Sequence, residues 1–113
     1  MAQPDFLNLA LELKSEVPPE ELLKNLKNIE ERLGRTSSTP WGPRHIDIDI
    51  IFYGDIIFES PTLIIPHPRM QDRKFVLIPL AEIAPQFIHP VYQKTVSRLL
   101  EECPDTLDVV QLD

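Results

Sequence analysis

Leucines occupy alternate positions near the start of the chain. In the segment FLNLALELK, residues 6–14, every second residue from position 7 to position 13 is leucine. A period of two places these side chains on one face of an extended backbone. The pattern therefore predicts a β-strand over residues 6–14.

The spacing of apolar residues then changes to that of a helix. The prolines at positions 18 and 19 suit a first helical turn, where a missing N–H has little effect, and Gly34 suits a helix end. Between them, four apolar residues follow at i, i+4, i+7 and i+11: Leu22, Leu26, Ile29 and Leu33. This spacing predicts an amphipathic helix.

A second extended segment, HIDIDIIFYG at residues 45–54, is rich in β-branched residues and predicts a central strand. Turn residues at positions 53–55 and 60–61 separate it from two short apolar runs, residues 56–58 and 63–65, which predict a meander. Residues 69–84 predict short helical turns, with Pro79 opening one and Pro85 closing it. Thr95 is a candidate cap for a last helix over residues 96–102. This order predicts one α+β layered domain over residues 1–113.

Composition narrows the class of protein. The chain has 18 acidic and 11 basic residues, a net charge of −7, which argues against nonspecific binding to nucleic acid. No apolar run approaches the roughly 20 residues of a membrane span, and the first residues do not resemble a signal peptide. A cytoplasmic location is therefore expected. Three glycines cannot form either Gly-rich phosphate loop.

The strongest chemical feature is the pair Asp47 and Asp49. Residues i and i+2 of a strand share a face about 6.5–7 Å apart, and the isoleucines between and beside them take the opposite face. Mg²⁺ prefers one or two carboxylates together with waters and phosphate oxygens. A solvated strand face with two ordinary acids is the alternative. A His45–Asp47–Asp49 zinc site is less favoured, because the outer two ligands would lie roughly 13 Å apart.

The loop before this pair adds groups that suit a polyphosphate. Arg35 and Arg44 flank Trp41, and arginines beside a Mg²⁺ pair are expected where phosphoryl groups are transferred. A surface ion pair between Arg44 and Asp47 is the simpler alternative. Trp41 offers a stacking surface for a flat ring, although partial burial against the helix would explain it equally well. His67, between two prolines, could hydrogen-bond a phosphate or simply complete a turn.

Several of these segments together resemble one enzyme family. The segments QPDFLN, IEERLGR, WGPRHIDIDI, IPHP and DRKFVLIPLAEIAP, followed by a closing helix, are similar in content and order to the 6-hydroxymethyl-7,8-dihydropterin pyrophosphokinases, abbreviated HPPK. The resemblance implies a ferredoxin-like fold of layered sheet and helices. It also implies that ATP donates its β,γ-pyrophosphoryl group to the hydroxymethyl oxygen of the pterin in folate biosynthesis, with two Mg²⁺ ions.

The resemblance assigns roles to individual residues. It implies that Asp47 and Asp49 bind the metal and that Arg44 and Arg35 take part in the chemical step. It also implies an ATP site and a pterin site. The ATP contacts would be Glu30, Ile50, His67 and Arg73. The pterin contacts would be Phe6, Asn8, Trp41 and Phe75, with the aromatic rings stacking on the heterocycle and Trp41 closing over it.

Two departures from the family pattern qualify these assignments. The loop at residues 36–40, TSSTP, has none of the further arginines found in well-known members. The family's first strand, helix and second strand are also absent, so the chain corresponds to the C-terminal portion of the domain. We therefore expect very weak or no pterin pyrophosphorylation. We also expect the chain either to self-associate through the region around residues 5–14 and 46–52 or to be only marginally stable.

Two other functions remain open from the sequence. The first is a noncatalytic remnant of the same fold that binds nucleotide or protein. The second is a Mg²⁺ nuclease or phosphatase that uses the paired aspartates, although no general base or third carboxylate can be assigned. Pterin binding distinguishes the enzyme from the nuclease or phosphatase, and ATP consumption distinguishes it from the remnant.

Overall fold

The computed structural model describes residues 8–36 and 47–106, except for the side chains of residues 35 and 36. These residues contain three α-helices: α1 (Pro19–Thr36), α2 (Lys74–Ile83) and α3 (Val96–Glu101). Strands β1 (Phe58–Glu59) and β2 (Ile64–Ile65) pair, and a 3₁₀ turn covers Met70–Asp72. This part of the chain is therefore a small α+β structure. It divides into two compact units: the described residues between 15 and 67 form the first, and those up to 14 and from 68 onward form the second.

Helix α1 confirms the helical spacing and supplies one wall of the first unit's core. Its Leu22, Leu23 and Leu26 pack against a buried cluster formed by three apolar residues of the later chain, Ile50, Leu63 and Ile65. The helix continues to Thr36, so the prediction that Gly34 ends it is wrong. A glycine inside a helix costs only about 1 kcal/mol relative to alanine, and near a helix end that cost is small enough to tolerate.

The predicted meander is confirmed in its second half. Ile56 N donates to Tyr53 O at 3.1 Å, closing a turn in which Gly54 has a φ of +56°, a conformation that favours glycine. Strands β1 and β2 then pair antiparallel, with Phe58 opposite Ile65. The turn between them is closed by Ser60 N, which donates to Leu63 O at 2.8 Å.

The two longer predicted strands are not formed in the described residues. Residues 8–14 and 47–53 belong to no ladder there, because a strand needs the N–H and C=O groups of a neighbouring strand. The alternation is nevertheless present as burial: Asp47 and Asp49 are exposed, Ile48 is half-buried and Ile50 is buried. The period of two thus predicted the burial of residues 47–50 correctly and their pairing wrongly. The layered ferredoxin-like sheet stays a prediction.

The second unit is held together by α2 and α3. Its buried apolar residues lie in the 3₁₀ turn and on the two helices: Met70, Leu77, Leu80, Val96 and Leu99. The prediction that Pro79 opens a helical turn is wrong, because Pro79 lies inside α2. Packing of the flanking Leu77 and Leu80 offsets the hydrogen bond that the proline cannot donate. Pro85 follows the helix as predicted, and Thr95 caps α3 as predicted, its Oγ1 accepting from Arg98 N at 3.1 Å.

Among the described residues, His89 is a polar residue buried in the core, with 2% of its surface exposed. Its Nδ1 accepts hydrogen bonds from Val91 N and Tyr92 N, both at 3.1 Å, and its ring lies 4.5 Å from that of Tyr92. An accepting Nδ1 places the proton of the neutral ring on Nε2. Burial lowers the pKa of His89 below its usual 6.5.

We expect this histidine to make stability depend on pH. Because the pKa is lower in the folded state, the unfolded chain takes up the proton first, so stability rises with pH. The contribution of His89 is complete above about pH 6.5 and is lost as the pH falls below that value. Urea unfolding at pH 5.0, 6.0 and 7.5 should show the loss in the native chain and a flatter dependence in His89→Gln. Equal dependence in the two proteins would contradict the assignment.

No helix in the described part of the chain is long and apolar enough to cross a bilayer.

Candidate functional site

Ile48, the residue between the two aspartates, is bound to helix α1 through its backbone. The carboxylate of Glu30 accepts a hydrogen bond from Ile48 N at 2.5 Å, and Lys27 Nζ donates to Ile48 O at 3.2 Å. Glu30 and Lys27 are three residues apart and therefore share one face of the helix. Side chains of α1 thus bind both backbone polar groups of Ile48, as a neighbouring strand would do in a sheet.

Attachment to α1 leaves the acidic pair facing solvent. Asp47 and Asp49 are both exposed, and Lys27 Nζ lies 3.6 Å from Asp47 Oδ1 and 3.1 Å from Glu30 Oε1. The lysine is therefore a cation placed between the helix and the start of the acidic pair. An exposed ion pair of this kind contributes little to stability, about 0–1 kcal/mol. The ion pairs of Lys27 therefore affect the local electrostatic potential at the acidic pair more than the stability of the fold.

The pKa values of the two helix residues reflect the same contacts. Burial alone would lower the pKa of Lys27, but its hydrogen bond to Glu30 and the nearby charges of Glu30, Asp47 and Asp49 outweigh it and raise that pKa above 10.5. Burial alone would raise the pKa of Glu30, but the hydrogen bonds from Ile48 N and Lys27 outweigh it and lower that pKa below 4.5. Both groups are therefore charged at neutral pH.

The donor set around the acidic pair is compatible with Mg²⁺, whereas His45, the further ligand of the zinc alternative, lies outside the described residues. No three His, Cys, Asp or Glu side chains converge on a metal position within residues 8–36 and 47–106. Structural zinc sites use four protein ligands and catalytic ones three. Mg²⁺ binds through one or two carboxylates and completes its shell with water and phosphate oxygens. Two exposed carboxylates that are open to solvent match that second pattern.

Two further residues with predicted ATP contacts lie in the same unit. Ile50 is buried in the core beside Leu63 and Ile65, so its side chain serves packing. His67 is half-buried, and its N–H donates to Ile51 O at 2.9 Å, which ties the turn after β2 to the segment that follows the acidic pair. Their contact with ATP stays a prediction.

The second unit brings together one predicted ATP residue and one predicted pterin residue. The guanidinium carbon of Arg73 lies 5.8 Å from the centre of the Phe75 ring, within the range of a cation–π contact. Arg73 directly precedes α2, and Phe75 lies in its first turn. Asn8, a further predicted pterin contact in this unit, is exposed.

Four of the predicted site residues cannot be placed. Phe6, Trp41 and Arg44 lie outside the described residues, as does most of the loop at residues 36–43 that would close over the pterin. Arg35 belongs to the last turn of α1, but its side chain is outside the description. Their roles stay predictions.

The sequence analysis did not identify two residues that contact the candidate site segments, Lys27 and Asp105. Lys27 could have been identified from its position three residues before Glu30 on the predicted helix. Asp105 could not, because its Oδ2 accepts from Lys74 N at 3.0 Å across 31 positions of sequence. A carboxylate at the first amide of a helix is a favourable cap, so Asp105 stabilises the end of α2 at which Arg73 and Phe75 lie.

The chain is similar in sequence to a known protein family and to several of its members. The family model for 7,8-dihydro-6-hydroxymethylpterin-pyrophosphokinase (HPPK) matches residues 1–85. The 2-amino-4-hydroxy-6-hydroxymethyldihydropteridine pyrophosphokinase of Synechocystis sp. is 49% identical over 100 residues, covering 88% of this chain and 51% of the relative. The Bacillus subtilis protein of the same name is 50% identical over 84 residues, covering 74% and 50%.

A longer protein matches the same region. The folic acid synthesis protein FOL1 of Dictyostelium discoideum is 45% identical over 103 residues, which cover 91% of this chain and 16% of that protein. The chain spans about half the length of the two bacterial pyrophosphokinases.

Proposed function

We propose that the chain provides the Mg²⁺- and nucleotide-binding part of a pterin pyrophosphokinase. The chain belongs to the HPPK family. The reaction is transfer of pyrophosphate from ATP to 6-hydroxymethyl-7,8-dihydropterin in folate biosynthesis. The observation that carries the proposal is the acidic pair itself: Asp47 and Asp49 are exposed on either side of an isoleucine that α1 holds by both backbone groups.

Asp47 and Asp49 would hold the two Mg²⁺ ions together with the phosphates of ATP. When bound, Mg²⁺ neutralises charge that develops on the transferred phosphoryl groups. The positive charge of Lys27 beside Asp47 favours the approach of a polyphosphate to the same place. In this proposal Arg44 and Arg35 contact the phosphates and stabilise the leaving charge.

Two substrates then require two further groups of residues. Arg73 and His67 offer cationic or hydrogen-bonding groups to the nucleotide, while Glu30 and Ile50 are assigned to the ATP site by the family resemblance alone. Phe75 offers a ring face to a flat heterocycle, and Asn8 can read its amide-like edge. Phe6 and Trp41 complete the proposed pterin site.

The reaction products distinguish this function from its alternatives. The hydroxymethyl oxygen attacks the β-phosphorus, the bond between the α,β-bridging oxygen and that phosphorus breaks, and AMP leaves. We expect the purified chain, incubated with ATP, Mg²⁺ and the reduced pterin, to form AMP and pterin pyrophosphate in equal amounts, even if slowly. Chromatography of the nucleotides after long incubation measures both products.

Other product patterns would contradict the proposal. ADP or inorganic phosphate formed without pterin would support a phosphatase. Mg²⁺-dependent binding of ATP with no product, in an assay where the Bacillus subtilis pyrophosphokinase is active, would contradict the transfer reaction, leave the nucleotide-binding role standing and support the noncatalytic remnant.

We also propose that the chain self-associates through residues 8–14, the first segment that the structure describes. Leu9, Leu11 and Leu13 are 68%, 75% and 63% exposed on a backbone that belongs to no ladder in the described residues. Exposed apolar surface on an extended segment invites pairing with another chain. Light scattering should show an average mass that rises with concentration and falls when all three leucines are replaced by lysine. Replacing exposed Ile57 and Ile64 by lysine is the control, and a monomer at all concentrations would contradict the proposal.

A further inference from the structure

We propose that Asp105, in the segment that follows α3, is a positioning residue that fixes Arg73 and Phe75 for the two substrates. The inference rests on the proposed function, since that function assigns a nucleotide contact to Arg73 and a pterin contact to Phe75. It goes further by giving a role to a residue outside the predicted sites. Asp105 also lies beyond residues 1–85, the part of the chain that the family model matches.

The start of α2 has a poor cap in its own sequence. Arg73 occupies the N-cap position, and its side chain makes no capping hydrogen bond in the described structure. Asp, Asn, Ser and Thr are the residues that cap a helix well, and cations are unfavourable at the positive end of the helix dipole. Arg73 and Lys74 place two cations at that end. A group from elsewhere in the chain is therefore needed to keep the first turn ordered.

Asp105 supplies this group from the other end of the unit. Its Oδ2 accepts from Lys74 N at 3.0 Å, so a carboxylate satisfies the first N–H of the helix across 31 positions of sequence. Its negative charge also offsets part of the positive charge at this helix end. Cys103 N donates to Leu100 O at 3.3 Å, which turns the chain out of α3 just before Asp105. The segment after α3 is thus attached to the start of α2.

The residue that Asp105 holds lies directly between the two proposed substrate contacts. Lys74 is preceded by Arg73 and followed by Phe75, and the guanidinium carbon of Arg73 lies 5.8 Å from the centre of the Phe75 ring. The 3₁₀ turn holds the other side of Arg73, because Arg73 N donates to Met70 O at 3.2 Å. With the Lys74 N–H fixed as well, both side chains start from a restrained backbone. Groups that are ordered before binding lose less freedom when a ligand binds.

The first test measures the contact between Arg73 and Phe75 by NMR. In the native chain, the Phe75 ring should shift the δ-protons of Arg73 upfield relative to Phe75→Leu, because the guanidinium lies over the ring. We expect Asp105→Ala to lose much of this shift. Asp105→Asn should keep it, since an amide oxygen can still accept from Lys74 N. Asp72→Ala, at an exposed acid of the 3₁₀ turn, is the matched control and should keep the shift.

Two results of this measurement would overturn the proposal. One is a native shift equal to that of Phe75→Leu, which would mean that the contact does not form in solution. The other is an unchanged shift in Asp105→Ala together with a lower midpoint of urea unfolding. That combination would show that Asp105 only stabilises the helix.

The second test measures whether the nucleotide contact depends on Asp105. The dissociation constant of α,β-methylene-ATP with Mg²⁺ is measured by calorimetry under conditions in which every variant is folded. We expect Asp105→Ala to weaken binding by about two- to fivefold, since a helix cap changes a local equilibrium by about that factor. Asp105→Asn should restore most of the affinity. When Arg73 is already alanine, Asp105→Ala should cause no further loss, because the two residues act through one contact.

The outcomes separate this inference from the proposed function. If Arg73→Ala weakens binding and Asp105→Ala does not, the inference fails and the proposed function stands. An equal loss from Asp105→Ala with and without Arg73 would mean that Asp105 acts independently, which also overturns the inference. If Arg73→Ala leaves binding unchanged, the nucleotide role of Arg73 fails and the inference fails with it. Should Asp105→Ala not fold, Asp105→Ser, with a side chain one bond shorter than the carboxylate, takes its place in both tests.

Discussion

Replacing Asp49 by alanine is expected to remove most of the affinity that Mg²⁺ adds to nucleotide binding, a loss of at least about tenfold, since even outer-shell changes at metal sites cost that much. The change removes one of two exposed carboxylates and leaves Ile48 bound to α1 through Glu30 and Lys27. Binding in EDTA should change little, because without a metal the Asp49 carboxylate cannot bind the phosphates, and its removal takes away only one exposed negative charge. Calorimetry with α,β-methylene-ATP, which cannot be cleaved at the bond that breaks, measures both affinities.

A matched control keeps this prediction specific. Asp55 is an exposed acid in the turn that follows the same segment. Asp55→Ala removes one negative charge from the same unit but no proposed ligand, so its Mg²⁺ gain should equal that of the native chain. A similar loss in Asp49→Ala and Asp55→Ala would indicate a general effect of net charge. Equal losses with and without Mg²⁺ in Asp49→Ala would contradict the ligand role.

The largest expected effect on stability comes from the core of the second unit. Leu77 lies in α2 with no exposed surface, and Val96 of α3, the helix that contacts α2, is also fully buried. Leu77→Ala removes buried apolar atoms and leaves a cavity, which costs about 2–5 kcal/mol in comparable cores. Small domains have only about 5–15 kcal/mol of stability in total. Urea unfolding should therefore show a much lower midpoint with an unchanged slope.

The control for this prediction lies on the same helix. Ile83 ends α2 and is 43% exposed, so Ile83→Ala removes atoms that water already reaches in part. Its effect on the midpoint should be clearly smaller than that of Leu77→Ala. Equal effects of the two substitutions would show that helix propensity, rather than core packing, determines the result.

Local periodicity predicted some features of this chain well. The spacing of leucines and isoleucines located α1, and the alternation in residues 47–50 predicted which side chains share a face, because both depend on side-chain order along a single segment. The cap at Thr95 was predictable for the same reason, since its partner Arg98 is three residues away. The helix and its cap depend on near neighbours in sequence, whereas the burial of Ile50 also needs α1, Leu63 and Ile65.

Pairing and long-range contacts were not predictable in this way. Whether residues 47–53 form a strand depends on the presence of a partner backbone, which their own sequence does not encode. The contact of Asp105 with the start of α2 spans 31 positions and leaves no periodic signal. Pro79 was misassigned because local rules treat a proline as the start of a helix, whereas packing of Leu77 and Leu80 holds it inside α2.

The acidic pair illustrates both what the sequence predicts and what it does not. Its two carboxylates and their spacing are visible in the sequence, but the way in which α1 fixes Ile48 between them is not. Glu30 and Lys27 lie 18 and 21 residues before Ile48. Their contribution therefore became visible only when the helix and the segment were seen together.

The central claim is that the metal–nucleotide complex binds at Asp47 and Asp49, and paramagnetic broadening tests it most directly. Mn²⁺, which accepts the same oxygen ligands as Mg²⁺, is added in small steps to the isotope-labelled chain with α,β-methylene-ATP. The amide signals of Ile48 and Asp49 should broaden first, while those of Glu101 and Glu102, an exposed acidic pair at the end of α3, stay sharp. Broadening that begins at Glu101 and Glu102, or that is equal at the two pairs, would contradict the account.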